Sequence, residues 1–169
     1  MLFEKIKKHK ELSKLIIEKC EENKICVDID EKIDRKNVLI LKPDNFYKSL
    51  NIANTPKSVD CLLILRCKER GYSMTLAELK NINSPDYGFS VTDLYQKFET
   101  IFNDFIPIKF EGILDERYRR IELYFVSKIN IYKRDAGLSL KLSQKKFTFN
   151  GKKYFIKPQM PTPAVKPCY

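Results

Sequence analysis

Histidine is almost missing from this sequence: His9 is the only one in 169 residues. That scarcity excludes zinc hydrolases built on several histidine ligands, as well as two-histidine and His-metal-His nucleases. A Ser/His or Cys/His relay would have to use His9, which lies among lysines, whereas such a base must be held and oriented by a third group. Long apolar runs are also lacking, so no membrane-spanning segment is expected. The opening stretch MLFEKIKKHKELSK has no uninterrupted apolar core of the kind a signal peptide needs. Cysteine is sparse and odd in number, with Cys20, Cys26, Cys61, Cys67 and Cys168 and no C-x-x-C pair. This spacing predicts neither a disulfide framework nor a structural zinc site, and it points to a reducing, cytoplasmic setting.

What remains is the composition of a globular chain, 43% hydrophobic and 32% charged, long enough for one domain with its own core. The net charge of +10 is unevenly placed. Residues 117–169 hold 13 Lys and Arg against only Glu122 and Asp135, while residues 1–116 are close to neutral. A one-sided basic surplus is the electrostatic footprint of a polyanion binder. A lysine-rich solvated surface without a partner is the plainer alternative.

Residues 2–23 read as an amphipathic helix, with Leu2, Phe3, Ile6, Ile16, Ile17 and Cys20 on one broad face. NVLILK (37–42) is a short strand, and Pro43 opens a turn or short helix. SVDCLLILRC (58–67) is a strand apolar on both faces, KERGYS (68–73) a turn around Gly71, and MTLAELKN (74–81) the returning strand of a hairpin. A loop is expected at 83–88. Ser90 then opens a helix over 90–106, with Asp93 three residues on, and Pro107 is expected to stop it. Residues 121–132 form a further strand, and 145–157 a hairpin turning at Asn150-Gly151. The tail from 158 to 169 carries four prolines and reads as flexible. The fold class is therefore α/β or α+β: a mixed central β-sheet flanked by helices, with residues 1–157 as one domain.

One pattern carries chemistry. In LAELKN, Glu78 and Lys80 alternate onto the same side of an apolar strand. With the turn near residue 70, Asp60 on the partner strand falls opposite about residue 80, so Asp60, Glu78 and Lys80 should converge at one end of the hairpin. Two carboxylates offer hard oxygens to Mg²⁺, which keeps several of its waters. A neighbouring ammonium balances the acids and steadies a phosphate oxygen or a water. The acid-x-Lys triplet by itself is weak, because Glu22/Lys24, Asp30/Lys32 and Asp34/Lys36 match it too. The apolar strand and its pairing to Asp60 single out Glu78 and Lys80, against the simpler reading of a salt bridge at a hairpin end.

At Val59-Asp60, the hairpin and Glu78-Leu79-Lys80, the sequence resembles the PD-(D/E)xK nuclease superfamily, whose fold is restriction-endonuclease-like. The resemblance spans roughly residues 2–132, with Val59 where the family has proline. It implies a metal-dependent DNA endonuclease of restriction or phage defence. Mg²⁺, or Mn²⁺ in its place, would sit on Asp60, Glu78 and the Leu79 carbonyl, and Lys80 would handle the nucleophilic water. It further implies a glutamate from the first helix, among Glu11, Glu18, Glu21 and Glu22, with Glu21 favoured by helical angle, and a glutamine on the following helix, Gln96. Arg117, Arg119, Arg120, Lys128, Lys133, Arg134, Lys145, Lys146, Lys152 and Lys153 would contact DNA phosphates. Of the interleaved aromatics Tyr118, Tyr124, Tyr132, Phe147, Phe149 and Tyr154, some would stack on exposed bases and more are expected in the core. Double-strand cutting would call for a homodimer, or target choice for a partner subunit. A catalytically inactive adaptor and an RNA-cleaving toxin are the rival readings.

Overall fold

The structure is a computed structural model that describes residues 1–82, 90–128 and 136–169. The expected loop at 83–88, the end of the strand expected over 121–132, Lys133 and Arg134 lie outside the described residues wholly or in part.

The chain is mixed α+β. A six-stranded mixed sheet runs in the order β1 (Ile16–Ile17), β4 (Val38–Leu41), β5 (Cys61–Arg66), β6 (Tyr72–Leu79), β7 (Tyr118–Val126), β10 (Ile156–Gln159). β1, β4, β5 and β6 pair antiparallel, whereas β7 joins β6 in parallel and β10 joins β7 in parallel. α1 (Leu2–Lys8), α2 (Pro43–Ser49), α3 (Val91–Thr100) and α4 (Ala136–Gln144) contribute to the main core. On the other face of the sheet lies a small sheet of β11 (Ala164–Val165), β3 (Ile25–Ile29) and β2 (Cys20–Glu22). β8 (Phe147–Phe149) and β9 (Lys152–Tyr154) form the expected Asn150-Gly151 hairpin.

Strand alternation sorts the side chains into two cores. Leu62, Ile64, Met74, Leu76, Leu123 and Phe125 pack toward the helices. Cys61, Leu63, Leu65, Ala77, Leu79 and Val126 pack toward the small sheet. Burial on both faces explains why β5 reads as a continuous apolar run. The described residues contain no helix long and apolar enough to cross a membrane.

The helix expected over residues 2–23 ends at Lys8. His9 turns extended, and its Nδ1 accepts the backbone N–H groups of Glu11 and Leu12, each at 3.3 Å. A short 3-10 turn over Leu12–Leu15 follows, and the β-branched pair Ile16-Ile17 joins the sheet edge against Ile40 and Leu41. At the other helix the expected N-cap is present, with Ser90 Oγ accepting the Asp93 N–H at 3.2 Å. Pro107 does not stop this helix, which continues from Ile101 to Lys109 in the wider π form. That form eases the clash of the proline ring with the carbonyl four residues back, and Phe102, Phe105 and Ile106 stay buried.

The cysteines overturn the expectation of unpaired thiols. Cys20 bonds Cys61 and Cys67 bonds Cys168, with Cα–Cα separations of 5.8 and 4.7 Å, while Cys26 is free. Partners 41 and 101 residues apart leave no local spacing signal. Both bonds fasten the small-sheet layer to the central sheet. The cytoplasmic expectation rested on free thiols and loses that support. The tail from 158 to 169 is extended but not loose: it completes β10, pairs β11 with β3, and is bonded through Cys168.

Candidate active site

β5 and β6 pair with Cys61 opposite Ala77 and Arg66 opposite Tyr72. The turn is tighter than the sequence suggests, closed by the Cys67 N–H donating to the Gly71 carbonyl at 3.0 Å, with Gly71 at φ +84°. Continued by one residue, this register sets Asp60 opposite Glu78 rather than opposite residue 80. Both belong to the strand parity that faces the helices.

Asp60, Glu78 and Lys80 line one cleft of about 390 Å³. Its floor is buried acid: Asp60 is 8% and Glu78 4% exposed. One Asp60 oxygen accepts the Leu79 N–H at 2.8 Å. Leu79 thus meets Asp60 through its amide, while its side chain packs on the opposite face. Lys97, from α3, is ion-paired to Glu78 Oε1. Glu78 Oε2 and Ser58 Oγ, both in the cleft wall, are buried without a hydrogen-bond partner. An orphaned carboxylate oxygen is expensive unless something occupies its second lone-pair side.

Glu21 points away: it lies exposed on β2, outside the cleft. The neighbouring Glu22 is the glutamate that enters, hydrogen-bonded to Asp60 and ion-paired to Lys42 at 3.1 Å. The reversal has a simple cause, since the region is a strand and not a helix. Cys20 and Glu22 share one side of β2, and the Cys20–Cys61 bond draws that side against Asp60. Gln96 is exposed and does not line the cleft. Lys97 takes its place, missed because a lysine beside an apolar helix face usually reads as a solvated border. Its i, i+3 spacing from the buried Leu94 was the available signal.

The cleft's titrations follow from crowding. Burial, then the Glu78 charge, pushes the Asp60 carboxyl up to about 8. Burial also raises Glu78, although Lys97 opposes it. Burial acts to raise Glu22, but its hydrogen bond to Asp60 and the Lys42 ammonium outweigh that and leave it below the usual carboxylate range. Burial works against the Lys97 ammonium, yet Glu78 holds it above its ordinary value. Around the rim, Lys48 pairs with Asp44 at 2.5 Å and Lys57 with Asp93 at 2.8 Å. Lys80 is half-buried and makes no ion pair among the described residues.

No family model, curated protein or solved structure matches the chain. Among the described residues, no group of three or more His, Cys, Asp or Glu side chains is gathered closely enough to hold a metal ion.

The expected phosphate contacts are scattered. β6 and β7 run parallel with Tyr72 beside Tyr118 and Glu78 beside Phe125. Arg117, Arg119 and Arg120 therefore sit at the far end of the sheet, about 20 Å from the cleft at strand rise. Arg119 is engaged by Glu69 at 3.3 Å and by the Tyr169 carbonyl, and Arg120 donates to the Lys166 carbonyl at 2.7 Å. Lys145 pairs with Glu99 at 2.5 Å, and Lys146 lies over the Phe155 ring. Lys152 and Lys153 are exposed on β9. Lys128, exposed just past β7, lies at the cleft end of the sheet. Tyr118, Phe147 and Phe149 are buried, as expected of core aromatics, and Tyr124 is partly so.

Proposed function

We propose that the chain is a Mg²⁺-dependent phosphodiesterase acting on nucleic acid, with DNA as the first candidate substrate and a restriction-endonuclease-like core. The observation that carries this reading is the Glu78 carboxylate, buried at the end of an apolar strand beside Asp60, with one oxygen that accepts no hydrogen bond and a lysine two residues on that makes no ion pair among the described residues. The order α1, antiparallel β4, β5 and β6, then α3 and parallel β7 supports the restriction-endonuclease-like reading.

The oxygen-only donor set fits Mg²⁺, which is commonly held by one or two carboxylates and otherwise keeps its waters. Asp60 and Glu78 would hold it, helped by the Leu79 carbonyl. When bound, the ion supplies a Lewis acid for a phosphoryl oxygen. The chain's own residues do the rest. Lys80 presents an ammonium that orients a water or a phosphate oxygen. Lys48 and Lys57 stand at the rim, where flanking phosphates of a polyanion would pass. Glu22, hydrogen-bonded to Asp60, keeps that carboxyl turned into the cleft.

A binding or adaptor subunit without catalysis is the second reading, favoured because no three acids among the described residues are placed closely enough to hold a metal ion. Supercoiled plasmid decides between them. With Mg²⁺ the protein should nick or linearise it, EDTA should abolish the reaction, and Lys80→Ala should lower the rate by at least about 100-fold. Binding without cleavage of plasmid, single strands or RNA would favour the adaptor. Preference for RNA would move the activity to the toxin reading.

A further inference from the structure

Glu78 is 4% exposed, yet its two oxygens are treated differently. Oε1 holds the Lys97 ammonium, and Oε2 accepts from no amine, amide or hydroxyl group, with the Asp60 carboxyl as the carboxylate's other polar neighbour. The lysine reaches this carboxylate from a separate element, α3, and its side chain keeps 26% exposure where Glu78 keeps 5%. One partner is thus fixed in the sheet, and the other is a flexible stem with a path to the cleft. A lysine ammonium is a compact cation on four rotatable carbons, suited to leave one anion for another. A lone buried carboxylate would be costly, so a resident cation at this place keeps the empty cleft folded. A divalent cation arriving at Asp60 and Glu78 brings the same sign of charge to the same oxygens. The two cations repel at close range and compete for Glu78.

We propose that Lys97 is an exchangeable counter-ion: it neutralises Glu78 while the cleft is empty, yields that carboxylate to a divalent cation, and then presents its ammonium to the phosphodiester of the substrate. The inference rests on the metal-dependent reading above and adds a function for a residue on α3. It explains why Lys97 is ion-paired in the cleft while Lys80 is not. The released ammonium remains near Asp44 and Asp93, which already hold Lys48 and Lys57, while Glu22, a further acid of the cleft, holds Lys42. An incoming phosphate is the anion left for it.

The test follows the Lys97 ammonium in the wild-type chain by ¹⁵N NMR of lysine side chains, with Lys97→Arg used only to assign the signal. Mg²⁺ should shift the Lys97 Nζ resonance and speed its exchange with water. A short dinucleotide should then shift it again, and should leave it unmoved without Mg²⁺. A resonance unchanged while Mg²⁺ saturates the protein overturns the exchange, and one moved by the dinucleotide in the absence of Mg²⁺ overturns the hand-over. Calorimetry at about pH 9, where protons compete least with a metal ion for carboxylates, adds an independent reading. There Lys97→Met should bind Mg²⁺ about tenfold more tightly, the factor given by about 1.4 kcal/mol of removed competition. Equal or weaker binding by a folded Lys97→Met protein overturns the proposal while leaving the metal reading intact. Absence of Mg²⁺ binding by wild type, Lys97→Met and Asp60→Asn alike overturns both.

Discussion

Asp60 accepts an amide, shares a hydrogen bond with Glu22 and faces the charge of Glu78. With its carboxyl raised from an ordinary 3.8 to about 8, the folded metal-free protein keeps a proton that the unfolded chain has released. Stability from this group is therefore fully present below the unfolded value and is lost as pH rises toward the folded one. In EDTA, the melting temperature should be lower at about pH 9 than at about pH 5 by at least roughly 5 °C, and Asp60→Asn should flatten that slope. Saturating Mg²⁺ should reverse much of the loss for wild type and none of it for Asp60→Asn. A flat wild-type profile would mean that Asp60 is ionised in the empty cleft. Asp60, Glu78 and Lys80 were legible as a group because charge on an apolar strand stands out. Glu22 was not, because its approach depends on a strand register and a disulfide partner 41 residues away.

Among the elements, β5, β6 and their turn could be read directly from the run SVDCLLILRC and from Gly71, since both faces of the pair are buried. The segment 12–22 could not. Its apolar residues, Leu12, Leu15, Ile16, Ile17 and Cys20, satisfy a helical spacing equally well, and only the edge of β4 makes strand pairing the better solution. α4 went unread because residues 133–144 offer no strong periodic face, and the π segment because its proline signals a stop. The bond from Cys20 to Cys61 makes β2 part of the cleft. Replacing both cysteines with serine should cost roughly 4 kcal/mol in the chain-entropy account and lower Mg²⁺ affinity through the loosened Glu22. Unchanged Mg²⁺ affinity in a folded double variant would remove Glu22 from the site. Arg120 works at the opposite end, as a clamp on the C-terminal segment. Arg120→Ala should lower the unfolding free energy by about 1–2 kcal/mol with little effect on DNA affinity, measured by denaturant melts beside a fluorescence binding curve.

At the scale of the molecule, the basic residues of the last third that are described do not gather on one face. Parallel pairing of β7 with β6 carries the 117–120 cluster away from the acids, and packing binds two of its members, Arg119 and Arg120, to backbone carbonyls. Charge per segment carries no information about which end of a sheet a strand begins at. A nucleic acid in the cleft would meet Lys48, Lys57, Lys80 and Lys128 first. Charge removal at Lys48 and Lys57 should reduce the slope of log affinity against log salt by about one unit or more. The same change at Lys152 and Lys153 should leave it nearly unchanged. The reverse ranking would place the polyanion along the β8–β9 hairpin instead.

The two disulfides also divide the polypeptide into consecutive closed rings, Cys20 to Cys61 and Cys67 to Cys168. Tension applied through the two ends bypasses both rings and stretches only the short segments outside them. A pulled, oxidised molecule would stop lengthening early, with the cleft's β6 and α3 shielded inside the second ring. Reduction would release roughly 500 Å of further contour, so the part of this fold that carries β6 and α3 is mechanically silent for as long as its sulfurs stay joined.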